Sequence, residues 1–534
     1  MLETLDWVAI ALYFAVLLGL AWWVVRQKQQ SSEDYFLASR HVGWFVVGAS
    51  IFASNIGSEH IVGLAGTGYK SGVVMGLYEL HSWLVLLLGW VFVPFYMRSQ
   101  VFTMPEFLER RYSPAARWFL SVISLVGYVL TKVSVTVYAG AVVFEALMGI
   151  PFWTGALAIV ILTGIYTVAG GLRAVVYTEA MQAIVLLIGS LTVTIIGLHQ
   201  LGGWGELERI AGGEHLNLWL PADHPDFPWP GMLLAPPIAG VWYWCTDQYI
   251  VQRALAARDE RQARRGTIFG AYLKLFPFFI FMVPGVIAYA LAKSGKLDVA
   301  DPDQTFPTMV KVLLPVGLRG LVAGGLLAAL MSSLAAVFNS CSTLFTMDIY
   351  KKLHKDASEL TLVRVGRAAT AVVVVLGILW IPLMKLISGQ LYHYLQSVQS
   401  YVAPPIAAVF LLGLFWKRIN ATGAMAALIG GFVIGMLRLV AELCKDSLSG
   451  LLYDFANVNF LYFCLILTAL SVAILVLVSL FTPAPAEAQI QGLTYATTVK
   501  ADRERSRASW NMMDVVASVI VVGIIVWILT TFTG

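Results

Sequence analysis

Apolar runs of about 20 residues recur along this chain from end to end, the length an α-helix needs to cross about 30 Å of hydrocarbon. That recurrence settles the secondary structure. A segment surrounded by lipid must satisfy its backbone N–H and C=O groups internally, and a helix does so within one segment. Of 534 residues, 59% are hydrophobic and only 12% charged, too little polar surface to cover a soluble globule. The pattern predicts an all-α polytopic membrane protein of about fourteen helices. The spans fall at 5–25, 44–68, 72–96, 117–148, 152–170, 174–202, 232–252, 266–292, 307–348, 362–384, 394–416, 420–442, 457–481 and 512–532.

The first run is preceded by Glu3, contains Asp6, is followed by Arg26 and Lys28, and lacks a small-residue cleavage pattern. It reads as a retained span rather than a signal peptide. Alternate loops hold clusters such as Arg98, Arg110 and Arg111, then Arg253, Arg258, Arg261, Arg264 and Arg265, then Lys351, Lys352 and Lys355. By the positive-inside rule those loops are cytoplasmic and both termini lie outside the cell membrane. Loop placement therefore accounts for the net charge of +4 better than nucleic acid does. Cys245, Cys341, Cys444 and Cys464 have no ligand-like spacing and imply neither a disulfide framework nor a metal centre. The chain divides into a first helix and loop (1–43), a first repeat (44–202), an extracellular loop (203–231), a second repeat (232–418), two peripheral helices (419–481), a linker (482–510) and a last helix (511–534). Little fixed structure is expected in the Pro- and Ala-rich, then charged, linker.

Function should lie where polar groups enter the membrane, because a central charged side chain costs about 2.5–3.5 kcal/mol to insert. The second span is interrupted by Ala53-Ser54-Asn55-Ile56-Gly57-Ser58-Glu59-His60. A break there frees carbonyls that a cation or a solute can satisfy, although Ser and Asn also line helix-packing stripes. The seventh span contains Trp242-Tyr243-Trp244-Cys245-Thr246-Asp247-Gln248. Thr246 or Asp247 is suited to N-cap a second half-helix; an aromatic belt is the alternative. The two broken spans occupy corresponding places in two halves, the pattern of an inverted-repeat transporter.

Glu79 follows Tyr78 in the third span, and Lys274 lies in the eighth, close enough to the basic loop for its ammonium to snorkel. Lys132 is central in the fourth span, where a carboxylate partner would offset its cost; no role follows for it. In the ninth span Ala329 precedes Ser332 and Ser333, whose neutral oxygens suit a hard cation or simply allow close packing. Gln396 follows Tyr392-His393-Tyr394 and both donates and accepts, as a hydroxylated ligand requires.

The strings ASNIGSEHIVGLAGTGY (53–69), GLYELHSW (76–83), YTVAGGLRAVVYTEAMQ (166–182), WYWCTDQYIVQR (242–253), YLKL (272–275), SSLAAVFNSCSTLFTMDIY (332–350) and YLQSVQSYVAPPIAAVFLLGLFWKR (394–418) resemble the sodium/glucose cotransporter branch of the solute:sodium symporter family. The resemblance covers most of residues 1–480 and implies a core of five plus five inverted helices, with the first helix of each half unwound. It implies a sodium site made by the carbonyls of Ala53, Ile56 and Ala329 and the hydroxyls of Ser332 and Ser333. It also implies a sugar site of Asn55, His60, Glu79, Trp244, Lys274 and Gln396, an inner gate at Tyr243, and outer-lid positions at Tyr78 and Tyr392. Where two-sodium sugar carriers have a threonine and an aspartate, this chain has Ala335 and Glu179, so one sodium per sugar is expected. Gly240 stands where the family has a sugar-contact threonine.

The resulting expectation is a sodium-coupled symporter of a monosaccharide, its partners being sugar, sodium and the lipid bilayer, with no cofactor beyond the coupling ion and no obligate protein partner. A symporter of inositol, an amino acid or an organic anion is the alternative within the family, and Glu79 argues against an anion. An enzyme or a channel is the alternative outside it. No nucleophile elbow, P-loop or metal-spaced His cluster supports an enzyme, and no rings of polar residues along several spans support a channel.

Overall fold

The computed structural model describes residues 2–26, 31–57, 59–384 and 391–534, except for a few side chains within helices. No strand occurs among the described residues. Nine described helices are long and apolar enough to cross a bilayer by themselves, or eleven when two sharply bent pairs are counted as spans. Of the remaining apolar stretches, Glu359–Met384 is one continuous helix, and others are interrupted. Pro114–Gly127 continues into Ser134–Val143 through a widened turn over Tyr128–Val133. The 50-residue stretch Phe152–Leu201 is two helices joined across a kink at Gly171, whose φ is +55°. A Cβ there would lie 2.6 Å from the Tyr35 carbonyl oxygen, so both the left-handed backbone and the close approach require glycine.

Side chains sort as a lipid solvent demands. Leu12, Trp22, Ile165, Ile195, Leu379 and Val519 lie exposed on outer faces, whereas most of the buried charges are paired. Arg253 and Glu179 are fully buried and 2.8 Å apart, Arg117 lies 2.6 Å from Asp348, and Arg319 lies 2.7 Å from Asp6. Arg111, also buried, donates to the carbonyls of Gly413 at 2.8 Å and Ile419 at 3.0 Å. The Gly413 carbonyl is one that the end of the Leu391–Phe415 helix leaves without an intrahelical donor.

The 482–510 linker is a correction to the expectation of little fixed structure. It forms the short helices Glu487–Ile490 and Lys500–Ala508 and docks on the helix ends. Gln489 donates to the Tyr112 carbonyl at 2.7 Å, Ser506 donates to Glu260 at 2.6 Å, and Arg261 reaches the Ala508 carbonyl at 2.9 Å. Its composition resembles a solvated tether; its partners come from loops distant in sequence. The end of the chain meets the 203–231 segment, where Leu218 N–H donates to the Phe532 carbonyl at 3.0 Å.

Candidate functional site

The Trp44–Asn55 helix stops in the membrane interior, and Ile56 turns to extended backbone with ψ of 97°. A widened turn resumes at Glu59–Leu64, and the flanking helices differ in direction by 62°. The carbonyls released at the break find hydroxyls. Ser333 Oγ lies 3.2 Å from the Ile56 oxygen and 3.4 Å from that of Ser54, and Ser332 Oγ lies 3.4 Å from the Ala53 oxygen. Tyr249 also donates its hydroxyl to the Ser54 carbonyl. Ala329, Ser332 and Ser333 share a face of Leu318–Thr343 because positions i, i+3 and i+4 align on a helix. The result is a small nest of neutral oxygens, hard ligands of the type alkali cations accept.

The seventh span breaks as its sequence suggests. Trp229–Gly240 passes into a widened turn over Val241–Thr246, and Gln248–Leu255 restarts behind Asp247. Asp247 is the N-cap, its side chain accepting from the Tyr249 N–H. The third and eighth spans loosen as well, which the sequence reading did not foresee. Gly76–Glu79 ends at Leu80, and Glu260–Leu273 is C-capped by Lys274, three residues before Pro277, whose ring and missing N–H interrupt the ladder. Glu79 and Lys274 therefore both sit at local helix ends in the membrane interior.

These breaks converge on one cavity. It is lined by Asn55, His60, Tyr78, Glu79, Tyr243, Trp244, Lys274 and Gln396 together with His81, Ala239, Gly240, Leu395 and Gln399. Glu79 and Lys274, only 2% and 3% exposed, form a direct ion pair, and His60 Nε2 lies 3.2 Å from the Glu79 carboxylate. Lys274 Nζ lies 5.4 Å from the Trp244 ring centroid, within cation–π range. Asn55 donates to the Tyr243 hydroxyl at 3.2 Å, and the Tyr243 ring meets Trp244 edge-on at 5.0 Å. Asn55 Oδ1 and His60 Nδ1 are buried and have no hydrogen-bond partner among the described residues. Such groups cost about 1–3 kcal/mol each when left unmade, which a ligand bearing hydroxyls would recover.

The residues expected around a solute line one cavity; of those expected around an ion, Ser332 and Ser333 approach Ala53 and Ile56 at the adjacent break, and Ala329 lies one turn before them on the same helix. The Tyr392 side chain lies outside the described residues. His81 and Gln399 were not singled out from the sequence; His81 stands two residues from Glu79, but nothing in a single polar residue marked its direction. Gly240 lines the cavity, and a side chain there would meet the side chains of Leu84 and His81. Lys132 Nζ lies 3.6 Å from Asp247 Oδ2, the carboxylate partner its burial called for. Glu179 is held by Arg253 at 2.8 Å and by the Ser50 hydroxyl, and Ala335 is fully buried.

An all-helical membrane protein with a polar cavity at mid-depth, set between helices that break to expose neutral oxygens, is a solute transporter rather than an enzyme. The sodium:solute symporter family model matches residues 35–431. The chain belongs to that family. It is 38% identical over 546 residues to the sodium/myo-inositol cotransporter of Mus musculus, covering 92% of this chain and 76% of the relative. It is equally 38% identical over 523 residues to sodium/glucose cotransporter 1 of Oryctolagus cuniculus, covering 89% and 79%. The fold matches that of a Na⁺-coupled sialic acid symporter, solved in a substrate-bound outward-open state, with a TM-score of 0.77 at 22% identity over 90% of this chain and 99% of that one.

Proposed function

We propose that the protein is a symporter of a monosaccharide of the glucose or galactose type, driven by one sodium ion per sugar, in the cell membrane with both termini outside. The observation that carries this reading is the joining of two sites by a single helix break: Ile56 offers its carbonyl to Ser333 while its neighbour Asn55 lines the cavity. Sodium held by the oxygens of Ala53, Ile56, Ala329, Ser332 and Ser333 orders that break and with it Asn55. By linkage, sugar favours sodium binding to the same degree.

A pyranose presents hydroxyls that both donate and accept. The acceptor Glu79, the donor Lys274, the amides of Asn55 and Gln396, and His60 read their orientation, while Trp244 covers the apolar face of the ring. Because Glu79 and Lys274 are already paired, the sugar inserts by exchanging that contact for two of its own. Tyr243 closes the inner side, and Tyr78 and Tyr392 the outer. The single ion is supported by Glu179 and Ala335: Arg253 already supplies a cation to the carboxylate, and a methyl coordinates nothing. One ion entering through 100 mV down a tenfold gradient yields about 3.7 kcal/mol, enough to hold a sugar gradient of about five-hundredfold; a second ion would square it.

A second reading, a cyclic polyol such as an inositol, is favoured by the similarity to the sodium/myo-inositol cotransporter. Uptake of radiolabelled hexose into proteoliposomes, with sodium, potassium or protons as the only gradient and inositols as competitors, tests both. Accumulation without a sodium gradient rejects the symport reading, and accumulation of inositol in preference to hexose replaces the sugar.

A further inference from the structure

Lys132 is carried on the widened turn Tyr128–Val133, and it is not among the residues lining the cavity. Its ammonium instead lies 4.2 Å from the centroid of the Tyr243 ring and 3.8 Å from that of Tyr249. Asp247 Oδ2 is 3.6 Å away, and Tyr128 donates its hydroxyl to the other oxygen of the same carboxylate. Tyr243 belongs to the half of the seventh span before the break and Tyr249 to the half after it, with Asp247 between them. One cation therefore spans the break, and Tyr249 carries the contact onward, since its hydroxyl holds the Ser54 carbonyl that Ser333 also approaches. The guanidinium of Arg253 lies 5.5 Å from the Tyr249 ring, so the Lys132 ammonium is the nearer cation there.

We propose that Lys132 is a positioning residue of the inner gate: a tethered cation that clamps Tyr243 and Tyr249 together across the broken seventh span and keeps the gate shut until solute and sodium are both bound. This rests on the symport reading of the cavity. An ammonium between two aromatic faces is attracted to both, and moving the two half-helices apart pulls one ring off it. The Asp247 carboxylate offsets the cost of burying that charge, and its N-cap bonds hold Tyr249 in register. Opening of the gate is thereby opposed by a contact whose far end is the Ser54 carbonyl, so disorder at the sodium-side break and loosening of the gate go together.

The test compares wild type, Lys132→Met, Lys132→Arg, Lys132→Met/Asp247→Asn, Tyr249→Leu and Tyr249→Phe in proteoliposomes. It reads sugar-free sodium influx and the sugar accumulated per sodium taken up. Lys132→Met is expected to raise the sugar-free influx about tenfold and to lower the coupling ratio, with Lys132→Arg restoring both. The double variant removes the buried charge imbalance yet is expected to leak still, because the rings stay unclamped. Wild-type coupling in Lys132→Met, or its recovery in the double variant, overturns the proposal. Should Lys132→Met not fold, Tyr249→Leu compared with Tyr249→Phe decides by the same reading, because both lose the hydroxyl on Ser54, only the first loses the ring, and both leave the ion pair; a leak equal in the two overturns the clamp. Wild-type vesicles that fail to accumulate sugar on a sodium gradient would reject the transport reading instead.

Discussion

Ser333 Oγ lies 3.2 Å from the carbonyl oxygen of Ile56, 277 residues earlier in the chain, at the point where the second span gives up its helical backbone. Across that contact the Leu318–Thr343 helix meets the break. Its hydroxyl is held by a carbonyl that, in the proposed sodium site, turns to the ion alongside it.

Replacing Ser333 with alanine removes one oxygen from the proposed sodium site and leaves the Ile56 carbonyl in place. The sodium concentration for half-maximal uptake is expected to rise about tenfold, corresponding to about 1.4 kcal/mol, while the order of preference among hexoses stays the same. Sodium titration of uptake checks this, and an unchanged sodium requirement removes Ser333 from the ion site.

Glu79→Gln keeps the shape of the side chain but removes the charge that Lys274 and His60 face. Loss of hydrogen bonds to a charged acceptor is expected to weaken sugar binding by about 10- to 150-fold while the protein remains monodisperse in detergent. Equilibrium binding of labelled sugar is the measurement, and normal affinity would place Glu79 outside the site.

The Arg253–Glu179 pair is fully buried, so stranding one partner should cost about 3–5 kcal/mol. Glu179→Gln is expected to lower the unfolding midpoint in detergent, and Glu179→Gln/Arg253→Met to recover much of it. An unchanged midpoint in the single variant would mean that the pair does not carry the stability assigned to it.

Gly171→Ala forces a side chain onto a left-handed backbone and against the Tyr35 carbonyl. A loss of about 1–3 kcal/mol is expected, read as a lower thermal midpoint. A midpoint equal to wild type would mean that the kink within Phe152–Leu201 does not depend on glycine there.

The broken second and seventh spans were legible because lipid penalises polar residues wherever they stand, so Asn55 and Asp247 announce themselves in one dimension. Lys132 announced itself in the same way, but its partner did not, since Asp247 lies 115 positions further along the chain. The loosened third and eighth spans carried weaker signals. Glu79 and Lys274 were conspicuous as charges, yet only Pro277 hinted that a helix ends near either. The linker was misread because its order comes from Glu260, Tyr112 and other groups on distant helix ends rather than from its own apolar content.

By itself the sequence determined that the chain is a bundle of membrane helices, that the second and seventh of them break, and which polar residues are too costly to lie against lipid. These are local questions of hydropathy, length and backbone satisfaction. Only the tertiary structure decided which charge meets which: that Glu79 takes Lys274 and His60, that Arg253 occupies Glu179, and that Lys132 lies between the rings of Tyr243 and Tyr249. A charge buried in low dielectric interacts strongly with whatever lies within a few ångströms, and that neighbour is chosen by helix packing rather than by order along the chain.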